Sequence, residues 1–153
     1  MRFIEEFFNN RIIIAALLGW FIAQVLKIVL VLITTKKLDW ERLFGAGGMP
    51  SAHSAMVTAM TIQIAEQCGV GSVEFAIALV FALITIYDAL GVRRQAGEHA
   101  KMLNRVAYQL EQENQNNDNN ILVKFDELKE LLGHTPLEVL GGVVLGILIS
   151  LPL

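Results

Sequence analysis

Long apolar runs alternate with polar interruptions along the chain, and the lengths of those runs predict its elements. Residues 12–33 are apolar except for Gln24 and Lys27. As a helix at about 1.5 Å per residue this run reaches roughly 33 Å, enough to cross a bilayer. The run 52–67 is mostly small and apolar residues and is short for a span, whereas 73–90 is stronger and is interrupted near its end by Tyr87 and Asp88. Gly69 and Gly71 mark the turn between them. A last apolar run, 137–151, opens behind Gly133-His134-Thr135-Pro136. Residues Met1–Asn10 read as a short amphipathic lead at the interface.

Two polar connections separate these runs. The first, 34–48, carries Lys36, Lys37 and Arg42, with Trp40 and Phe44 suited to the headgroup zone. The second spans about 91–133. Its first part, 91–108, is rich in charge, and 109–120 is Glu, Gln and Asn with almost nothing to bury, which predicts a mobile loop. Residues 121–132 then place Leu122, Phe125, Leu128, Leu131 and Leu132 at helical spacing, as expected of an amphipathic helix on the membrane surface. The expected fold is all-α: one integral membrane helical bundle over 1–153 with about four transmembrane helices and a polar cytoplasmic insertion.

Composition agrees with this picture. The AVILMFWYC share is 54%, charged residues make up 18%, and mean hydropathy is +0.53, which excludes an ordinary soluble domain. A net charge of -3 gives no basic field for nucleic acid. One cysteine, Cys68, excludes an internal disulfide, and three histidines without His-Glu-x-x-His spacing predict no metal site. The first run is too long for a signal-peptide core and is read as a retained span.

With four spans the two long connections share a side. They hold nine of the 12 Lys and Arg residues, against Arg2 and Arg11 on the other side and Lys27 within a span. The positive-inside tendency therefore predicts a multi-pass protein of the cell (inner) membrane with both connections in the cytoplasm. His53, Arg93, Arg94, His99 and His134 all fall on that side.

The candidate chemistry centres on Gly47-Gly48-Met49-Pro50-Ser51-Ala52-His53-Ser54. Glycines allow close backbone approach, and Pro50 suits the first turn of a helix. Ser51, Ala52 and His53 would then stand at a helix N-terminus, which favours an anion, with an imidazole alongside as proton donor or acceptor. The plainer reading is an interhelical turn with a capping histidine. Lys27 inside a span costs roughly 2.5–3.5 kcal/mol and is a candidate anion ligand, unless it snorkels to the headgroups. Arg93 and Arg94 offer planar forks for phosphate oxygens, and the neighbouring Asp88 could orient one of them. His134 and Glu138, four apart at the start of the last run, would stack on one helix face, so the carboxylate could hold the imidazole in one tautomer. Their plainer reading is a capping histidine and a glutamate placed by the helix dipole.

These residues resemble a known superfamily. Pro50-Ser51-Ala52-His53 is similar to the Pro-Ser-Gly-His motif of type-2 phosphatidic acid phosphatases and vanadium haloperoxidases. Gly133-His134-Thr135-Pro136-Leu137-Glu138-Val139-Leu140-Gly141-Gly142 resembles its final motif, and with Tyr87-Asp88-Ala89-Leu90-Gly91-Val92-Arg93-Arg94 the likeness is to the divergent bacterial and plastid branch. The resemblance implies a phosphohistidine phosphatase that needs no metal or cofactor. His134 would be the nucleophile, Glu138 its orienting acid and His53 the leaving-group acid. Lys27, Gly48, Ser51 and Arg93 or Arg94 would hold phosphate. Four departures stand out: Ala52 replaces a glycine, Glu138 replaces an aspartate, no Arg-Pro pair follows Lys27, and Leu128 occupies the position of an arginine six residues before the nucleophile. A rival alignment keeps that spacing with Arg93 and His99, but finds Leu103 where the acid belongs.

The resulting expectation is a lipid phosphate phosphatase whose partners are the membrane and a phospholipid such as phosphatidylglycerophosphate or phosphatidic acid. No nucleic acid is expected, and homo-oligomerisation is left open. The competing expectations are a non-catalytic membrane scaffold or lipid-headgroup binder on the same fold, and a prenyl diphosphate phosphatase.

Overall fold

A computed structural model describes residues 2–36, 48–116, 128 and 133–153. They form six helices: α1 (Arg2–Phe8), α2 (Arg11–Thr35), α3 (Ala52–Cys68), α4 (Val73–Leu90), α5 (Val92–Asn116) and α6 (Pro136–Ser150). Local signals set the ends. Asn10 caps α2 by accepting from Ile12 and Ile13 N–H, Ser51 caps α3 through Ser54 N–H, and Ser72 caps α4 through Phe75 N–H. Helix α6 begins with a capping box between Thr135 and Glu138, with Pro136 in its first turn.

Helix α3 is the centre of the bundle, packed against α2, α4 and α6, and exposes no large apolar side chain. What lets its neighbours close on it is a lack of side chain. The buried residues of α2 are Ala15, Gly19, Ala23 and Lys27, and those of α6 are Val139, Gly142, Gly146 and Ser150. Both sets are spaced by three or four residues, so each makes one stripe along its helix. A Cβ on Gly19 would stand 2.9 Å from the Ala55 carbonyl oxygen, and one on Gly146 would stand 2.6 Å from the same oxygen. A Cβ on Gly142 would run into the Ser51 carbonyl oxygen. This is the small-residue packing that membrane helices use when lipid supplies no hydrophobic drive.

The large apolar side chains point the other way. Phe21, Leu26 and Leu30 of α2, Phe81 and Ile84 of α4, and Leu140 and Leu148 of α6 are all exposed. A bundle that buries alanine and glycine and exposes leucine and phenylalanine is built for a lipid surround. Helix α2 and the helix beginning at Val73 are long and apolar enough to cross a membrane, and α6 is a shorter apolar helix. The described chain is thus an all-helical membrane bundle, in which α3 and α6 are shorter than the spans on either side.

The helix directions follow from bonds at the two ends. At one end, Ser51 N–H donates to the Glu138 carbonyl (2.9 Å) and His134 N–H to the Ala89 carbonyl (3.2 Å). These join the N-termini of α3 and α6 and the C-terminus of α4. At the other end, Gln63 is 1% exposed and donates to the Ser150 carbonyl at 3.0 Å, while Ser150 Oγ donates to the Ala59 and Gly146 carbonyls. Helices α3 and α6 therefore run parallel to each other and antiparallel to α4.

Two expectations are corrected here. Pro50 does not open α3: Ser51 is the N-cap, and Pro50 precedes it through a cis Met49–Pro50 peptide. The expected loop 109–120 is helical as far as Asn116, because Glu and Gln are good helix formers and prolong a helix begun by the amphipathic segment before them. The rest of that loop and the expected helix 121–132 lie outside the described residues, except Leu128.

Candidate active site

The end where α3 and α6 begin and α4 stops is where the sequence-predicted residues meet. His134 is 4% exposed. Its Nδ1 lies 3.1 Å from Glu138 Oε2. The same carboxylate oxygen accepts Thr135 N–H at 3.1 Å, while Glu138 N–H donates to Thr135 Oγ1 at 3.3 Å. One oxygen thus closes the capping box of α6 and holds the imidazole. Glu138 both contacts the imidazole and completes the cap, and the capping side chain is Thr135, not His134. With Nδ1 against the carboxylate, Nε2 is the nitrogen on the other side of the ring.

His53 stands in the first turn of α3. Its ring centroid lies 6.5 Å from that of His134, with the planes at 62°. The Ser51 N–H to Glu138 carbonyl bond ties the two helix starts together by backbone alone, which sets the relative positions of the segments that carry the two histidines.

Lys27 ends the small-residue stripe of α2 and is 5% exposed. Gly48 takes φ +87°, and a Cβ there would stand 3.2–3.4 Å from Lys27 Cδ, Cγ and Cε. A side chain at this position would be strained by the backbone and crowded by the lysine stem. The loop entering α3 therefore lies on the Lys27 stem, and the ammonium is near enough to Glu138 for their charges to interact. Gly141 receives the next loop residue, with its would-be Cβ 3.2 Å from Met49 Cε.

Other candidates are placed differently. Ser51 is fully buried, its Oγ accepts from Ser54 N–H (3.3 Å) and Ser54 Oγ (3.0 Å), and its own N–H is used by Glu138. Its hydroxyl builds the helix end and is not the open phosphate ligand the sequence suggested. What α3 offers an anion is the partial positive charge of its N-terminus. Arg94 is exposed on the first turn of α5, and the Arg93 side chain lies outside the described residues. Among the described residues, the cation joined to the cluster is Lys27. His99, the rival nucleophile, is exposed on α5, and Leu103, the position of its required acid, is exposed as well. The sequence reading missed Thr135 and Ser54. Thr135-x-x-Glu138 is a capping-box signature, and Ser54 lies three residues after the N-cap, so both signals were present.

Comparison with known proteins bears on the same stretch of chain. The Divergent PAP2 family model matches residues 8–149. The chain belongs to this family. A relative from Bacillus subtilis (strain 168), the uncharacterized membrane protein YuiD, is 41% identical over 152 residues, covering 97% of this chain and 96% of its own length. No solved structure matches. Membership makes this a phosphatase-related membrane protein, and the matched region contains the whole His53, His134, Glu138 and Lys27 cluster.

Proposed function

We propose that this divergent PAP2 protein is a metal-independent phosphatase for lipid phosphomonoesters that works through a phosphohistidine at the cytoplasmic face. The reading is carried by buried His134, held at Nδ1 by Glu138 and standing 6.5 Å from His53 at the N-terminus of α3. Substrate phosphate sits between the two rings, against the α3 N-terminus and the Lys27 ammonium. His134 Nε2 attacks phosphorus, the P–O bond to the lipid breaks, and His53 gives its proton to the leaving alkoxide. A water then attacks the phosphorus of the N–P intermediate and gives its proton to His53. Inorganic phosphate leaves and His134 is regenerated. Glu138 stabilises the positive charge that His134 carries in the intermediate. The rate advantage comes from positioning and charge, as phosphoryl transfer requires.

The preference for an inner-leaflet lipid such as phosphatidylglycerophosphate or phosphatidic acid rests on charge. The exposed cations Lys36, which caps the C-terminus of α2, and Arg94, in the first turn of α5, follow helix ends on the histidine side of the bundle, and cations favour the cytoplasm. The test is phosphate release from these lipids by purified protein in detergent. Wild type releases phosphate, and His134→Ala forms no phospho-enzyme. His53→Ala is slow on lipid but partly recovers with an aryl phosphate, whose leaving group needs little protonation. A His134→Ala protein that still turns over beside an inactive His99→Ala protein would overturn the assignment. No release from any of the lipids or the aryl phosphate by wild type would leave a headgroup-binding scaffold as the function.

A further inference from the structure

Helix α5 leaves the bundle at the histidine end, and among the described elements it packs only against α4. It is amphipathic in an unusual way, with three distinct faces. One flank is occupied by the chain itself. Asn104 Nδ2 donates to the Leu128 carbonyl at 2.8 Å and Leu128 N–H donates to Asn104 Oδ1 at 2.9 Å. On that flank Gly97 is buried and Ala100 and Ala107 are half-buried. A second face is apolar and bare: Val92, Leu103, Val106 and Leu110 lie along one side at helical spacing, with Met102 at its edge, and all five are exposed. About half a turn from Leu103 lies the third face, where Arg94, Lys101 and Arg105 repeat at seven and four residues.

We propose that the bare face of α5 lies on the bilayer surface and that its cations draw the helix to anionic lipid. Two observations select lipid as the occupant. The first is continuity: the exposed Ile84 and Tyr87 at the end of α4 lead directly through Gly91 to the exposed Val92. The apolar face of α5 thus begins where the lipid-facing surface of α4 ends. The second is charge. The half of α5 next to the bundle, residues 92–105, carries Arg93, Arg94, Lys101 and Arg105 against a single acid, Glu98, while Glu111 and Glu113 lie in the far half. A helix with an apolar side, a cationic side and low net hydrophobicity is the type that settles into a headgroup layer, each cation near an anionic surface adding about 1 kcal/mol. Leu128 is seated on the Asn104 flank, apart from the apolar face. On the bilayer surface α5 gathers anionic lipid beside the mouth of the site.

The test uses full-length protein with Cys68→Ser and one added cysteine at 101, 103, 105, 106 or 110, each bearing a bimane label. Proteins are reconstituted into phosphatidylcholine vesicles with or without phosphatidylglycerol, and only monodisperse preparations are compared. With phosphatidylglycerol present, nitroxide lipids quench the labels at 103, 106 and 110 several-fold more than those at 101 and 105, and aqueous iodide gives the reverse order. Without phosphatidylglycerol the lipid quenching at 103, 106 and 110 falls. Equal iodide quenching at all five positions overturns the proposal. So does protection of 103 and 106 from both quenchers: with cross-links between copies the occupant is a second copy, and without them it is the protein's own chain. Lipid quenching that is indifferent to phosphatidylglycerol overturns the assignment of the cations. None of these outcomes depends on whether the protein is a phosphatase.

Discussion

Glu138 does two things with one oxygen, and substitution can separate them. Glu138→Gln keeps a side chain that a capping box accepts, so Thr135 N–H retains an acceptor and α6 retains its start. What disappears is the negative charge 3.1 Å from His134 Nδ1. A hydrogen bond to a charged group exceeds a neutral one by about 1–1.5 kcal/mol, and each 1.36 kcal/mol is tenfold in rate, so turnover should fall roughly 5- to 13-fold. The melting temperature in detergent should hardly move. Thr135→Ala should do the opposite. It removes the acceptor of Glu138 N–H, costing about 1 kcal/mol of stability, and its rate loss should be smaller than that of Glu138→Gln. Thr135→Ser should restore the melting temperature. Glu138→Asp is a methylene too short to serve Thr135 N–H and His134 together and should lose part of each property. The assay is the thermal midpoint paired with initial phosphate release for all four variants. If Glu138→Gln melts as early as Thr135→Ala and turns over at the wild-type rate, the carboxylate is a cap only and the role given to it here is wrong.

Further outcomes follow from the packing and the charges. Gly146→Ala brings a Cβ to 2.6 Å from the Ala55 carbonyl oxygen and 2.8 Å from Thr58 Cβ, so α3 and α6 must part. We expect about 1–3 kcal/mol of destabilisation in a detergent melt, where Gly71→Ala, with nothing within 4 Å, should cost far less. Lys27→Met preserves the stem against Gly48 and removes the buried ammonium; the protein should melt no earlier than wild type but lose affinity for inorganic phosphate and vanadate. Activity should survive EDTA and be blocked by vanadate, and loss on chelation with recovery in magnesium would point to a different mechanism. A cysteine at Lys101 should react with an impermeant reagent only after the inner face is opened, and labelling in intact cells would reverse the proposed orientation.

Much of the architecture could be read from local sequence, for physical reasons that can be named. Val73–Leu90 was legible at both ends because Ser72 supplies a cap and Gly91 a stop around a largely apolar run. The pairing of His134 with Glu138 was expected from i, i+4 stacking, but His134 precedes the N-cap Thr135, and the contact arises because the capping-box Glu138 reaches back. The misreadings came where one local rule had two places to act. Proline at the start of a helix describes Pro136, not Pro50. Low apolar content between 109 and 116 suggested a loop, although Glu and Gln favour helix once an amphipathic segment has nucleated it. The burial of Lys27 was not visible in α2 alone, since it depends on Gly48, 21 positions away, folding onto the lysine stem. The small-residue stripes ending at Lys27 and Ser150 could have been read, because their spacing is helical, but the partner that fills the gap between them is a tertiary fact.

The bond from His134 N–H to the Ala89 carbonyl has a bearing on how such a protein can change. It fastens the point where the chain departs from the bundle to the point where it returns, so everything from Leu90 to Gly133 is a cassette clipped shut at its base. For a cassette of that kind, doubling the length adds only about 0.6 kcal/mol of closure entropy. Lineages can therefore lengthen, trim or exchange α5 and its return segment without disturbing the spacing of His53 and His134.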